Sequence, residues 1–298
     1  MNKHAFMDRL TVGIARLATG KKKAFFYESL DSLTFEEMIR ATELEVPGSL
    51  AQGNHEGTAR TPAGELDPAY RVEQWLGHDH PTIIYHHGNN ERPFDFGKFS
   101  KNSFRDIFVK SGQHFPANLV VVRAPFHNGS VSAYQKKMVR MENFIAMLSV
   151  SVRMSEAIVT RLKQDGAGKV IVCGTSLGGW VTNLHRSHYN TADLYVPLMA
   201  GTLLGELFIR SAYRKLAAGL VSRHPEKVRE LLNFNTVFDA IGNKNVFPLL
   251  ALHDQYIQYA VQKQSYEGHP LQTIPFGHVT GSLQAGRLKD HMLTCLDL

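Results

Sequence analysis

Residues 170–179 read VIVCGTSLGG, a row of strand-forming residues that runs into Ser176, with Gly174 two positions before the serine and Gly178 two positions after it. Val and Ile favour extended backbone, and glycines directly behind them mark a tight turn. With 24 Gly in 298 residues, a chance G-x-S-x-G is expected about 0.1 times in such a chain, so the pentapeptide needs support from its surroundings. Its physical content is specific. A sharp strand-to-helix turn brings backbone close to both sides of the serine, which is why small residues are required at these two places. The same turn lifts the hydroxyl above the strand, and the free N–H groups opening the next helix point there too.

Outward from this stretch the chain alternates strands with helices. Strands are expected at 70–77 (YRVEQWLG), 81–88 (PTIIYHHG), 118–125 (NLVVVRAP), 169–174 (KVIVCG), 194–201 (LYVPLMAG), 245–254 (NVFPLLALHD) and 270–278 (PLQTIPFGH). Helices are expected at 96–111, 134–163, 177–188 and 255–265, at several places in 203–237, and after Thr280. Near-continuous apolar strands are buried on both faces, as in a parallel sheet wrapped by helices. No linker rich in Pro or Ser divides the series, which argues for one domain. Ahead of it, Phe6, Leu10, Ile14 and Leu17 follow helical spacing, and Thr34 with Glu37 forms a capping-box pattern. This leader is expected to pack on the main domain, with a membrane-surface helix as the alternative.

Composition narrows the class. A hydrophobic content of 43% with 20% charged residues is that of an ordinary globular protein. The net charge of +6 is mild, and its one dense run is Lys21–Lys23, read as a solvated loop. No basic stripe is interleaved with aromatics, so a nucleic-acid partner is not expected. Two cysteines exclude a disulfide framework and suit a reducing compartment. With neither a signal-peptide pattern nor an apolar run of spanning length, the expected location is the cytoplasm.

In an open parallel sheet reactive groups gather at the carboxyl ends of strands. Four such ends carry notable residues: Ser176 in GTSLGG, His86–Asn90 in HHGNN, Asp254 in LLALHD, and His278 in IPFGH. The HHGNN turn can offer the Asn89 backbone N–H to pair with that of Leu177, so that two donors converge on one developing oxyanion. Asp239 in NTVFDAIGNKN is a rival to Asp254; the latter is favoured because it ends an apolar strand. HDHPTIIYHHG matches no zinc-ligand spacing, and neither metal nor cofactor is expected.

HHGNN, GTSLGG, ALHD and FGH, in that order, resemble the α/β-hydrolases over roughly residues 70–298. The resemblance implies an eight-stranded, mostly parallel sheet flanked by helices, a nucleophile elbow at Ser176, a Ser176–Asp254–His278 triad, and a helical cap at 202–244. Residues 1–69 are expected to form a helix-rich extension packed on the 70–298 domain, with TELEVPGSLA (42–51) as a candidate strand. A serine at the elbow implies acyl transfer, with a small-molecule carboxylic ester as the expected substrate. Thioester or amide cleavage and a catalytically silent binding module are the alternatives. His87 and Asn90 on the turn, with Phe234 and Phe238 in the cap, are the expected substrate contacts.

Overall fold

The computed structural model describes residues 2–20, 24–110, 112 and 114–297; the Lys21–Lys23 run lies outside the described residues. The chain opens with helix α1 (Lys3–Thr19) and helix α2 (Phe35–Ala41). Thr34 and Glu37 cap α2 reciprocally, as their spacing foretells. Strands β1 (Glu43–Glu45), β2 (Gly53–Glu56), β3 (Thr58–Thr61) and β4 (Gly64–Leu66) follow. β1, β3 and β4 form a small antiparallel sheet of their own. β2 instead pairs with β5 (Ala69–Gln74) and becomes an edge of the main sheet, so the segment expected to be helix-rich holds four strands and shares the main sheet through one of them.

The main sheet adds β6 (Thr82–His86), β7 (Asn118–Arg123), β8 (Val170–Thr175), β9 (Leu194–Leu198), β10 (Leu249–Ala251) and β11 (Gln272–Ile274). Its spatial order is β11-β10-β9-β8-β6-β7-β5-β2, parallel from β11 through β7 and antiparallel at β5 and β2. This is the eight-stranded, mostly parallel α/β sheet that the sequence implies. Alternate residues of the central strands feed two cores. Ile84, Val120, Val122, Val170 and Val172 face one, and Ile83, Tyr85, Leu119, Val121, Ile171 and Cys173 face the other. Because both faces are covered, the strands carry no polar alternation.

Along the chain, helices α3 (Val131–Lys137) and α4 (Met141–Gln164) connect β7 to β8, and α5 (Leu177–His188) connects β8 to β9. The continuous helix expected at 134–163 is thus broken near Val139, where the chain runs beside Phe26 and Glu28 through backbone bonds. The helix expected at 96–111 shrinks to one turn with a π-helical stretch at Arg105–Val109, preceded by irregular chain. Between β9 and β10 come α6 (Gly205–Ile209), a 3-10 turn (Ala212–Leu216), α7 (Gly219–Arg223), α8 (Pro225–Leu232) and α9 (Asn235–Asp239). After β10 come α10 (Tyr259–Gln262), α11 (His278–Ser282) and α12 (Ala285–Leu296).

Candidate active site

Ser176 is the single residue between β8 and α5, with φ 56° and ψ −109°. A non-glycine residue held there costs on the order of 1–3 kcal/mol. The surroundings hold it: the Ser176 N–H donates to the Leu198 carbonyl at 2.8 Å, and its carbonyl accepts from the Trp180 N–H at 3.1 Å. The flanking glycines are needed for space. A Cβ at Gly174 would stand 2.5 Å from the Gly178 carbonyl carbon, and one at Gly178 would collide with the His86 carbonyl oxygen.

Three sequence-derived residues meet here. His278 Nε2 lies 2.9 Å from Ser176 Oγ, and His278 Nδ1 lies 2.7 Å from Asp254 Oδ2. Asp254 follows the end of β10 and His278 opens α11, so sheet register fixes both. The other Asp254 oxygen accepts the Tyr256 and Ile257 N–H groups at 2.7 and 2.8 Å. Burial favours a neutral imidazole at His278, but the Asp254 charge and hydrogen bond, with help from Asp8, outweigh it and raise its pKa. Burial likewise raises the Asp254 carboxyl, and the pairing with His278 only partly offsets it. The bonded carboxylate facing the imidazole acts directly on its charged form, so the pair holds the His278 pKa above its ordinary value. Asp239 ends α9, where the charged group that bears on it most is Arg186; it makes no bond to His278.

The loop after β6 lies on the other side of Ser176. Asn89 and Leu177 both line the cavity, and neither backbone N–H finds an acceptor among the described residues. Lys101 Nζ donates to the Asn89 carbonyl at 3.0 Å, and Asn89 Nδ2 donates to the Tyr213 hydroxyl at 3.0 Å. A buried carboxylate that the sequence reading missed, Glu91, anchors the loop by accepting from the N–H and hydroxyl of Ser103 at 2.9 and 2.6 Å. Asn90 lines the cavity; His87 does not. The His87 Nδ1–H donates to the Gly88 carbonyl at 2.7 Å, and Nε2 accepts the Ala124 N–H at 3.0 Å. Burial keeps this ring neutral. It is a bracket between two strand ends, with no nitrogen left for a substrate.

Asp8 on α1 also escaped the sequence reading. It is fully buried, and its carboxylate accepts three backbone N–H groups: Gln255 at 3.0 Å, His278 at 2.8 Å and Val279 at 2.9 Å. One side chain of the leading helix thus ties together the loops that carry the acid and the imidazole. Its signal was present in spacing. Ala5, Asp8, Val12 and Ala15 recur at 3-4-3 intervals, a face of small residues into which the acid is set.

Ser176 and His278 open onto a cavity of about 330 Å³. Its apolar wall comes from three regions: Val12 and Phe25 of the leader, Phe144 and Trp180 of the sheet's helices, and Leu204, Leu207 and Phe208 after β9. Phe234 and Phe238 do not reach it. Phe234 packs edge-on against Trp180 and Phe35, while Phe238 packs against Tyr266 and under the Arg186 guanidinium. Their helical spacing reports burial against α5 and its neighbours, and the expected substrate contacts at these positions are withdrawn.

No protein-family model matches the sequence, and no match was found among curated proteins. Solved structures do resemble the fold. Acetyl xylan esterase 1 of Thermoanaerobacterium sp. superposes on 84% of this chain and 90% of its own, with a TM-score of 0.54 at 15% identity. An acetyl xylan esterase from Paenibacillus sp. R4 superposes on 97% of this chain and 93% of its own, with a TM-score of 0.51 at 11% identity. The acylaminoacyl peptidase of Pyrococcus horikoshii matches over 82% of this chain but only 40% of its own, at a TM-score of 0.51 and 12% identity. At such identities the likeness is one of fold. The strand order, the serine at the strand-to-helix turn and these superpositions agree: the chain is an α/β-hydrolase-fold protein.

Proposed function

We propose that this chain is a serine hydrolase that cleaves carboxylic esters through an acyl-enzyme. The observation that carries the reading is the unbroken hydrogen-bond relay from Asp254 through His278 to Ser176 at the mouth of an apolar cavity. In this reading His278 Nε2 takes the Ser176 proton while Oγ attacks the acyl carbon. The carbonyl oxygen becomes an oxyanion facing the free Asn89 and Leu177 N–H groups. Collapse breaks the ester bond, and the departing alkoxide takes the proton from His278. Water then repeats the cycle on the acyl-enzyme, releasing the carboxylic acid and restoring the serine. Asp254 holds the imidazole with its proton on Nδ1 and stabilises the charged form.

Known structures of this fold bear the names of esterases and of a peptidase, so the fold alone leaves the scissile bond open. The wall of Val12, Phe25, Trp180, Leu204 and Phe208 favours an acyl chain over a charged or peptide-like group. We read the segment after β9 as the cap, its working part being 204–216 and not the later phenylalanines. Leu207→Ala should then change the ratio of kcat/KM for octanoyl against acetyl esters several-fold, since a pocket methylene is worth roughly 1 kcal/mol or more, and leave acetyl turnover near wild type. Equal loss on both esters would remove Leu207 from the acyl wall. The reading as a whole is tested by a fluorophosphonate probe, which should label the wild type and not Ser176→Ala. A catalytically silent fold would take no label.

Activity requires neutral His278, so turnover should fall as pH drops through its pKa. The direction of the shift places that limb above the ordinary histidine value of about 6.5. Because the Asp8 charge contributes to the rise, Asp8→Asn should move the limb to lower pH while keeping one carbonyl acceptor in place. A limb below pH 6 in the wild type, or one unmoved by the substitution, would contradict the electrostatic account.

A further inference from the structure

We propose that the outer face of α1 docks the protein on an anionic lipid surface. The helix has two apolar faces. Ala5 and Val12, with the engaged Asp8 between them, seal it against the domain, while Phe6, Met7, Leu10, Ile14 and Leu17 stand exposed on the opposite side, Leu17 at 86%. This is the stripe whose spacing suggested packing, and the domain leaves it uncovered. Leu283, just past α11, the helix packed beside α1, is 72% exposed as well.

Charge selects the occupant. α1 carries Lys3, Arg9 and Arg16. Its only acid is Asp8, which is buried and bonded to backbone. The helix thus carries three cations alongside the apolar strip, with Arg9 also holding the Gln255 side chain, and no exposed anion. A second copy of the chain meeting α1 face to face would bring like charges together, and two heptads are too few to form a coiled coil. An anionic lipid layer satisfies both features: basic groups meet headgroups while the strip enters the acyl boundary, with the helix lying in the plane. Position agrees with charge. Thr11 lines the cavity and stands four residues from Met7 and three from Ile14, and Leu283 both lines the cavity and faces solvent. A docked helix would hold the cavity mouth at the lipid layer.

The test is flotation of the full chain with vesicles of phosphatidylglycerol and phosphatidylcholine, which reads binding and is independent of any hydrolase activity. The wild type should float with the mixed vesicles, less with phosphatidylcholine alone, and less again as salt rises from about 0.05 to 0.5 M. The double substitution Leu10→Glu/Leu17→Glu should reduce the bound fraction about tenfold or more, and the single Leu17→Gln should reduce it in the same direction, with thermal midpoints near wild type. Failure of the wild type to float, or equal flotation of the double variant, overturns the proposal. So does a wild-type dimer in analytical ultracentrifugation that the double substitution splits into monomers, since a second copy would then own the stripe.

Discussion

Ser176→Ala and His278→Ala should each lower kcat for an acyl ester by on the order of 10⁴-fold or more, and the double substitution should be scarcely worse than either. The near-absence of additivity is the informative part. If Oγ attacks only while Nε2, 2.9 Å away, takes its proton, removing either atom removes the same step, and nothing remains for the second substitution to damage. Residual turnover would come from binding and from the free Asn89 and Leu177 N–H groups. Ser176→Ala also releases the unusual φ of 56° from its functional purpose without relieving it, so little change in stability is expected. Multiplying losses in the double variant would mean that the two residues act in separate steps.

The sheet was legible because burial on both faces leaves strands almost free of polar residues, and the turn was legible because Gly174 and Gly178 are forced by backbone contact. These are short-range constraints. What failed depended on which neighbour covers a helix, which periodicity does not encode. Phe234 and Phe238 repeat at helical spacing and are buried, yet against Trp180 and Tyr266 rather than a cavity. On α1 the large residues carry the helical periodicity, while the face packed on the domain is built from Ala5, Val12 and an acid. Asp8 reads as a surface charge in isolation; only the loops at 255 and 278–279, brought together by β10 and β11, give it three donors. Edge strand β2 escaped for the opposite reason. GNHE has no apolar pattern, because an exposed antiparallel edge needs little.

Asp254→Asn separates the geometric role of the acid from its charge. Asp254 Oδ1 holds the Tyr256 and Ile257 N–H groups, and an amide oxygen can hold them equally well, so the loop and the fold should survive. The amide nitrogen then replaces Oδ2 opposite His278 Nδ1. It can only donate, so the ring turns its lone pair to Nδ1 and its proton to Nε2. In that tautomer Nε2 cannot accept the Ser176 proton, although every heavy atom is in place. Turnover should fall by on the order of 10³–10⁴-fold, with the thermal midpoint within a few degrees of wild type, since a buried carboxylate has been exchanged for a neutral group of the same shape. Asp239→Asn, at the end of α9 beside Arg186, should leave turnover essentially unchanged. The pair is decisive because the substitutions are chemically identical and only the connection to His278 differs. If Asp239→Asn were the damaging one, the hydrogen bond from His278 Nδ1 to Asp254 would have no part in the reaction.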